Sequence, residues 1–145
     1  MEKGERRRLL LDVLVQMDGP SLHLKGKTAR VDMIPFTGIV RGEIFEGIVE
    51  RGGMDTQILD AGGVRHLSAK YMMTGRDAEG REARIFVENA ADFADGEVPM
   101  PFTTRPVFHT DSPCLSAILE DDIDRIYGEG SSEADGLHIR FYKSY

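Results

Sequence analysis

The chain has 145 residues, 41% of them hydrophobic and 30% charged, and its formal net charge is −7. This is typical of one globular domain, residues 1–145, whose core needs no metal or disulfide to hold together. The negative charge argues against a nucleic-acid partner, and no stretch approaches the roughly 20 apolar residues that span a bilayer. The single cysteine, Cys114, excludes an intramolecular disulfide and favours a cytoplasmic location.

Alternating apolar and polar residues predict strands along most of the chain. Positive charge followed by apolar residues gives the N-terminus some likeness to a signal peptide, but Asp12 interrupts the apolar run, and residues 9–15 alternate as a first strand does. The polar residues 76–82 predict a hairpin between two later strands. Further strands are predicted at 21–24, around Val31 and Met33, and at 38–50, 54–60, 64–75, 83–89, 103–110 and 136–144.

One segment, residues 112–128, has the apolar spacing of a helix instead. Ser112 is a suitable N-cap, Pro113 suits the first helical position, and Gly128 is a plausible stop. The other segments are short strands punctuated by glycine, about eight in all. They predict an all-β barrel or sandwich.

Several motifs occur in an order that resembles a known family. Glycines at 38, 42 and 47 are followed by G-G-x-D at 52–55, L-x-A-K-Y at 67–71, I-x-V-x-N at 85–89 and T-x-P-x-F-x-T at 104–110. Together they resemble the DUF3237 family, also called UPF0311, over residues 9–143. The resemblance implies a single antiparallel β-barrel, similar to the calycin and allene oxide cyclase barrels, that forms a homodimer or larger homo-oligomer.

The chain departs from the family pattern at two places, which leaves the ligand open. It has "AILEDD" where the family has an aromatic-Leu-Asn run, and Lys70 where an arginine is usual. In the family, residues 117–128 would supply a late strand. We therefore expect a short helical turn near 112–117 followed by a strand.

Most kinds of reactive site have little support in the sequence. The four histidines lack metal-ligand spacing, so no bound metal is expected. Cys114 has no neighbours that would activate a thiol. The paired glycines do not precede helices as phosphate-binding loops do. No cofactor is expected.

Polar residues on neighbouring strands are the remaining candidates. Consecutive strand residues face opposite sides, so the apolar face of 67–73 predicts that Tyr71 is interior and Lys70 exterior. The same reasoning places Asn89 inside with Ile85 and Val87. We expect Asp55 and Tyr71 to be catalytic. The expected ligand-binding residues are Gln57, Asn89, Thr110 and Asp111, with one of the last two in the lumen.

Two functions are consistent with these residues. The first is a barrel that binds a small apolar or phenolic metabolite, as a cofactor-independent cyclase- or isomerase-type enzyme. The alternative is a non-catalytic carrier, sensor or oligomeric scaffold, in which the polar set is a structural hydrogen-bond network. A cavity of a few hundred Å³ with Asp55 or Tyr71 on its wall favours the first, and a lumen packed with apolar side chains favours the second.

Overall fold

The computed structural model describes residues 6–145 and consists mainly of strands. One short helix, α1 (Pro113–Leu119), and a 3-10 turn (Ile123–Arg125) interrupt them. The strands are β1 (Arg7–Met17), β2 (Leu22–Lys25), β3 (Ala29–Arg41), β4 (Phe45–Asp60), β5 (Arg65–Asp77), β6 (Glu82–Phe93), β7 (Phe102–Thr110), β8 (Ile126–Glu133) and β9 (Gly136–Ser144).

Eight of the strands close into an antiparallel barrel. The order is β1-β9-β8-β7-β6-β5-β4-β3, and β1 also pairs with β3, which completes the ring. The ninth strand, β2, lies outside the ring, and β3 is its one partner among the described strands. The prediction of a single all-β barrel of about eight strands is confirmed. Within residues 6–145, no helix is long and apolar enough to cross a membrane.

The predicted boundaries are wrong around β3 and β4. The chain turns at residues 42–44, so the segment 38–50 is the end of one strand and the start of the next. A side chain at Gly42 would collide with the backbone oxygen of Leu10, which explains the glycine at this turn.

Gly52-Gly53 lies inside β4 instead of ending it. Val49 pairs with Met73 but Met54 with Lys70, so β4 bulges here, and Gly52 takes the φ of +107° that glycine tolerates best.

The helical turn predicted near 112–117 is confirmed, and it extends to Leu119 as α1. The Ser112 hydroxyl caps it by accepting the Leu115 N–H. The late strand begins only at Ile126, so the expectation of a strand directly after residue 117 is wrong. Gly128 is not a helix stop, because it lies within β8 against Thr104 and Phe141, where any side chain would collide.

The barrel has two different ends. At the closed end, α1, the 42–44 turn and the β5–β6 hairpin cover the lumen, and the side chains beneath them are fully buried. The open end is formed by β2, the turns at 61–64 and 134–135, and the loop 94–101. Large closed-end core side chains include Leu10, Leu11, Phe45, Met73, Ile85, Leu115 and Leu119.

Candidate functional site

A cavity of about 240 Å³ occupies the open half of the barrel. Its volume lies just below the 300–1,000 Å³ typical of ligand sites, so it suits a small molecule. Most of its wall is apolar, with four polar side chains among the lining residues. These residues are Val15, Met17, Ile34, Phe36, Asp55, Gln57, Leu67, Ala69, Tyr71, Asn89, Phe102, Leu137 and Ile139.

The strand register brings two of the polar residues to one level of the wall. Asp55 on β4 lies opposite Ala69 on β5, which lies opposite Asn89 on β6. Directly opposite residues on antiparallel strands share a face of the sheet. All three therefore point into the lumen, and the small Ala69 leaves space between the two polar groups.

Tyr71 lies one step deeper, beside the bulge in β4. A Cβ at Gly53 would approach the Tyr71 Cβ to 3.2 Å, so the glycine makes room for this residue. The ring packs edge-on against Phe36, with centroids 5.1 Å apart. Burial raises the pKa of Tyr71, so the phenol stays protonated near neutral pH and acts as a hydrogen-bond donor.

Asp55 is held by one of its two carboxylate oxygens. Gln57 Nε2 donates to Asp55 Oδ2 at 3.0 Å, and Gln57 Oε1 accepts from Arg65 Nη1 at 3.2 Å. Arg65 Nε also donates to the Gly96 carbonyl at 2.7 Å, which ties the network to the loop over the open end. Burial raises the pKa of Asp55, and the Gln57 hydrogen bond opposes the shift only in part.

The second oxygen of Asp55 and the amide oxygen of Asn89 have no hydrogen-bond partner among the residues that the structure describes. Both atoms are buried, and within residues 6–145 only Thr104 Oγ1 shares this condition. An unsatisfied buried polar atom costs about 1–3 kcal/mol, so native proteins keep few of them without a reason. Two such atoms on one cavity wall indicate a place where a ligand's polar groups would be satisfied.

Thr110 and Asp111 do not join this set, and their expected position in the site is wrong. Asn89 lies opposite Pro106, whereas Thr110 lies opposite Ile85, four residues nearer the closed end. Thr110 Oγ1 donates to the Arg84 carbonyl at 2.7 Å. Asp111 accepts the Arg84 backbone N–H at 2.8 Å and its Nε at 3.2 Å. These contacts fasten the end of β7 to β6.

The outer surface beside Asp111 carries a larger depression, of about 570 Å³. It is lined by the ends of β5 and β6. The charged groups there already bind one another, as in the Arg84–Asp111 pair. Of the buried side-chain atoms without a partner in residues 6–145, none lies on this depression. The smaller lumen cavity is therefore the better candidate.

The remaining polar candidates lie on the faces that strand alternation predicts. Tyr71 and Asn89 are buried and Lys70 is exposed. His66 also faces outward and binds Asp60 and Asp92. The sequence interpretation missed Arg65, although its even spacing from Leu67 places it on the same inner face.

A histidine and two carboxylates form a separate cluster on the outer face of the barrel. Among the described residues, Glu133, Asp135 and His138 bring possible metal-ligand atoms within 4.8 Å of one another. However, His138 is bound through Nδ1 to Asp12 at 2.8 Å and through Nε2 to Asp135 at 2.7 Å, and Glu133 pairs with Arg140. These groups satisfy one another as an ion-pair network that joins β1, β8 and β9.

Comparison with known proteins supports the fold and leaves the activity open. No family model matches the sequence, and no curated protein matches it. A solved protein of unknown function from Clostridium acetobutylicum is 25% identical, with 99% of each chain covered and a TM-score of 0.73. A β-barrel-like protein from Acinetobacter baumannii is 19% identical, with both chains fully covered and a TM-score of 0.67.

A third solved structure is described as an enzyme from Penicillium herquei. It is 17% identical, the match covers 100% of this chain and 98% of that one, and the TM-score is 0.65. At such low identity, the likeness to the Acinetobacter and Penicillium proteins is evidence for the fold alone. Residues 6–145 thus have the same fold as these solved proteins, one of which is described as β-barrel-like.

Proposed function

We propose that the barrel binds a small, largely apolar molecule in its open half, with the ligand's polar end between Asp55 and Asn89. The observation that carries this proposal is the cavity of about 240 Å³ whose wall holds two buried oxygens without partners. An apolar wall favours a ligand with a hydrocarbon or aromatic body. Two free acceptor oxygens favour a ligand that donates hydrogen bonds, as a phenol or enol does.

The same residues are suited to moving a proton. Asp55 has a raised pKa, which brings a carboxyl group nearer the range useful for general acid–base work. Tyr71 retains its proton and can donate to an oxygen that gains negative charge. In a β,γ-unsaturated ketone, Asp55 would take a proton from the carbon between the carbonyl and the double bond, and Tyr71 would stabilise the dienolate oxygen. Asp55 would then return the proton to the γ-carbon, which moves the double bond into conjugation. This isomerase-type step changes no oxidation state overall and needs no cofactor.

Exchange of the α-protons of 2-tetralone in D2O, followed by NMR, tests the catalytic form of the proposal. We expect the protein to accelerate exchange and Asp55→Asn to lose the acceleration by about 100-fold or more, since general-base catalysis contributes this much. Asp111→Asn is the control, because Asp111 lies outside the cavity. Binding of 2-tetralone without accelerated exchange would contradict an enzyme and leave a carrier or sensor.

A carrier or oligomeric scaffold is the second candidate, and the exposed apolar residues of β2 favour it. Leu22 and Leu24 are 64% and 60% exposed, on a strand that pairs with β3 alone. Such an edge is a frequent site of association between chains. Native mass spectrometry would count the subunits and detect a retained ligand together. A monomer would contradict the expected homo-oligomer.

Membership of the DUF3237 family and a cytoplasmic location also stay predictions. The order and spacing of the motifs between residues 38 and 110 support the first. The Asp55 carboxylate and Asn89 amide should have counterparts in the lumen of the Clostridium barrel if the site is shared. Replacement of both by apolar residues there would contradict a shared site.

A further inference from the structure

We infer that the ligand carries a carboxylate-type anionic group, which Arg65, assisted by Arg30 and Lys25, binds at the cavity mouth. This inference rests on the proposed function, because it specifies the ligand of the same cavity. It follows from a row of residues along one side of the open end, on β2 to β6.

The strand register places these three cations in one row across β2 to β5, with Leu59 between Arg30 and Arg65. Lys25 lies opposite Arg30, Arg30 opposite Leu59, and Leu59 opposite Arg65. Opposite residues share a face, and this row continues to Phe93, which packs against the core. The row therefore lies on the lumen side, two residues beyond the level of Gln57, or about 7 Å along the strands.

Arg65 is partly buried and has no anionic partner in the described part of the chain. Its two hydrogen bonds go to the neutral oxygens of Gln57 and Gly96. Between residues 6 and 145, no carboxylate forms an ion pair with it, and Nη2 makes no hydrogen bond there. Asp95 and Glu97 flank Gly96 in the loop, but Asp95 instead accepts the Glu97 N–H. Buried charges in proteins are normally paired, so this guanidinium is suited to an anion supplied from outside.

The neighbouring cations are also available. Arg30 approaches Asp32 only at 3.5 Å, and Asp32 is held more closely by His23, at 2.6 Å. Lys25 is exposed and forms no ion pair with any residue from 6 to 145. The guanidinium fork of arginine matches a carboxylate in two parallel hydrogen bonds. A ligand lying along the cavity would thus place the hydrogen-bond donor of its ring system near Asp55 and Asn89 and its carboxylate near Arg65.

Titration calorimetry with 2-naphthoate and 2-naphthamide at neutral pH tests this inference, because the two probes have nearly the same shape and differ in charge. We expect wild-type protein to bind the naphthoate more tightly by about tenfold or more, the lower end for a hydrogen bond to a charged group. Arg65→Gln should reduce this ratio by about tenfold. Arg105→Gln is the matched control, because Arg105 is an exposed arginine on the outer wall, and it should leave the ratio unchanged.

Each outcome separates the inference from the function on which it rests. Equal affinities for the two probes in wild type would overturn the anionic group and leave the binding cavity standing. Failure of both probes to bind would count against the cavity itself. If Arg65→Gln does not fold, the exposed variants Arg30→Gln and Lys25→Gln should each reduce the ratio by about threefold, as expected for exposed charges. A ratio unchanged in both variants would overturn the inference.

Discussion

The two ends of the barrel are built from the same strands but are completed differently. At the closed end, α1 places Leu115 and Leu119 over the lumen, and both are fully buried. At the open end, the corresponding wall positions include Asp55, Ala69 and Asn89, which leave space. An eight-stranded barrel either fills its interior with side chains or holds one small ligand. In this barrel, side chains fill the closed half, and the open half holds the cavity.

Asp77 at the closed end and Asp55 at the open end show the same difference. At the closed end, Asp77 accepts the Ser112 hydroxyl at 2.8 Å and the backbone N–H groups of Glu79 and Arg81. These hydrogen bonds, led by that of Ser112, lower the pKa of Asp77. At the open end, Asp55 has one oxygen without a partner, and burial raises its pKa. A satisfied carboxylate is structural, whereas a half-satisfied one is available to a ligand.

The largest expected difference between the ends concerns stability. Leu115→Ala would leave a cavity in a fully packed region and should reduce the free energy of unfolding by about 2–5 kcal/mol. Leu137→Ala removes the same atoms from a half-buried wall that already faces open space, and should cost less than half as much. Urea denaturation of both variants measures this. Equal losses of unfolding free energy in the two variants would contradict the open half of the barrel.

The next prediction uses pH. The pKa of Asp55 is raised in the folded protein, so the folded state binds its proton more tightly than the unfolded state does. Its contribution to stability is therefore fully present below the ordinary pKa of about 3.9 and is lost as pH rises through the folded value. Asp55→Asn should remove this loss and stabilise the protein near neutral pH by about 1–3 kcal/mol.

Asp77→Asn should have the opposite signature. The folded pKa of Asp77 is lowered, so its contribution is present above the ordinary pKa and is lost as pH falls through the folded value. The variant should therefore flatten the acid limb of the stability profile. Thermal melts of the two variants and wild type from acid to alkaline pH compare these slopes. Parallel profiles for both variants would contradict the contrast between the two aspartates.

The smallest effect is expected at Asp111. This residue pairs with Arg84 at an exposed position, and such pairs contribute about 0–1 kcal/mol. Asp111→Asn should change the free energy of unfolding by less than about 1 kcal/mol. Titration calorimetry should show the same affinity for 2-naphthoate as in wild type. If the variant loses affinity for 2-naphthoate, Asp111 contributes to ligand binding after all.

Strand alternation predicted the faces of the site residues correctly but not their height along the barrel. One apolar face on β5 and β6 was enough to place Tyr71 and Asn89 inside, because a one-residue slip would expose the whole face. Alternation does not say how far along the axis a residue lies. Thr110 and Asp111 were therefore grouped with residues near the opposite end of the lumen.

Other features depend on contacts between distant segments. Gly52-Gly53 has the local signature of a turn, yet pairing with β3 and β5 on both sides keeps it inside β4 as a bulge. The start of β8 has helical spacing, but pairing with β9 makes it a strand. Arg65 was missed because a charged residue at a strand end usually faces water. Only the loop carbonyl of Gly96 and the side chain of Gln57 identify its position.

The most direct test of the open half as a ligand site is to fill it. Ala69 lies between Asp55 and Asn89 on the cavity wall, so Ala69→Leu should abolish 2-naphthoate binding in calorimetry while the melting temperature is maintained. Ala90→Leu is the matched control, because Ala90 follows Asn89 on β6 and points to the opposite face, and it should bind as wild type does. Unchanged binding by a folded Ala69→Leu variant would contradict the cavity as the site.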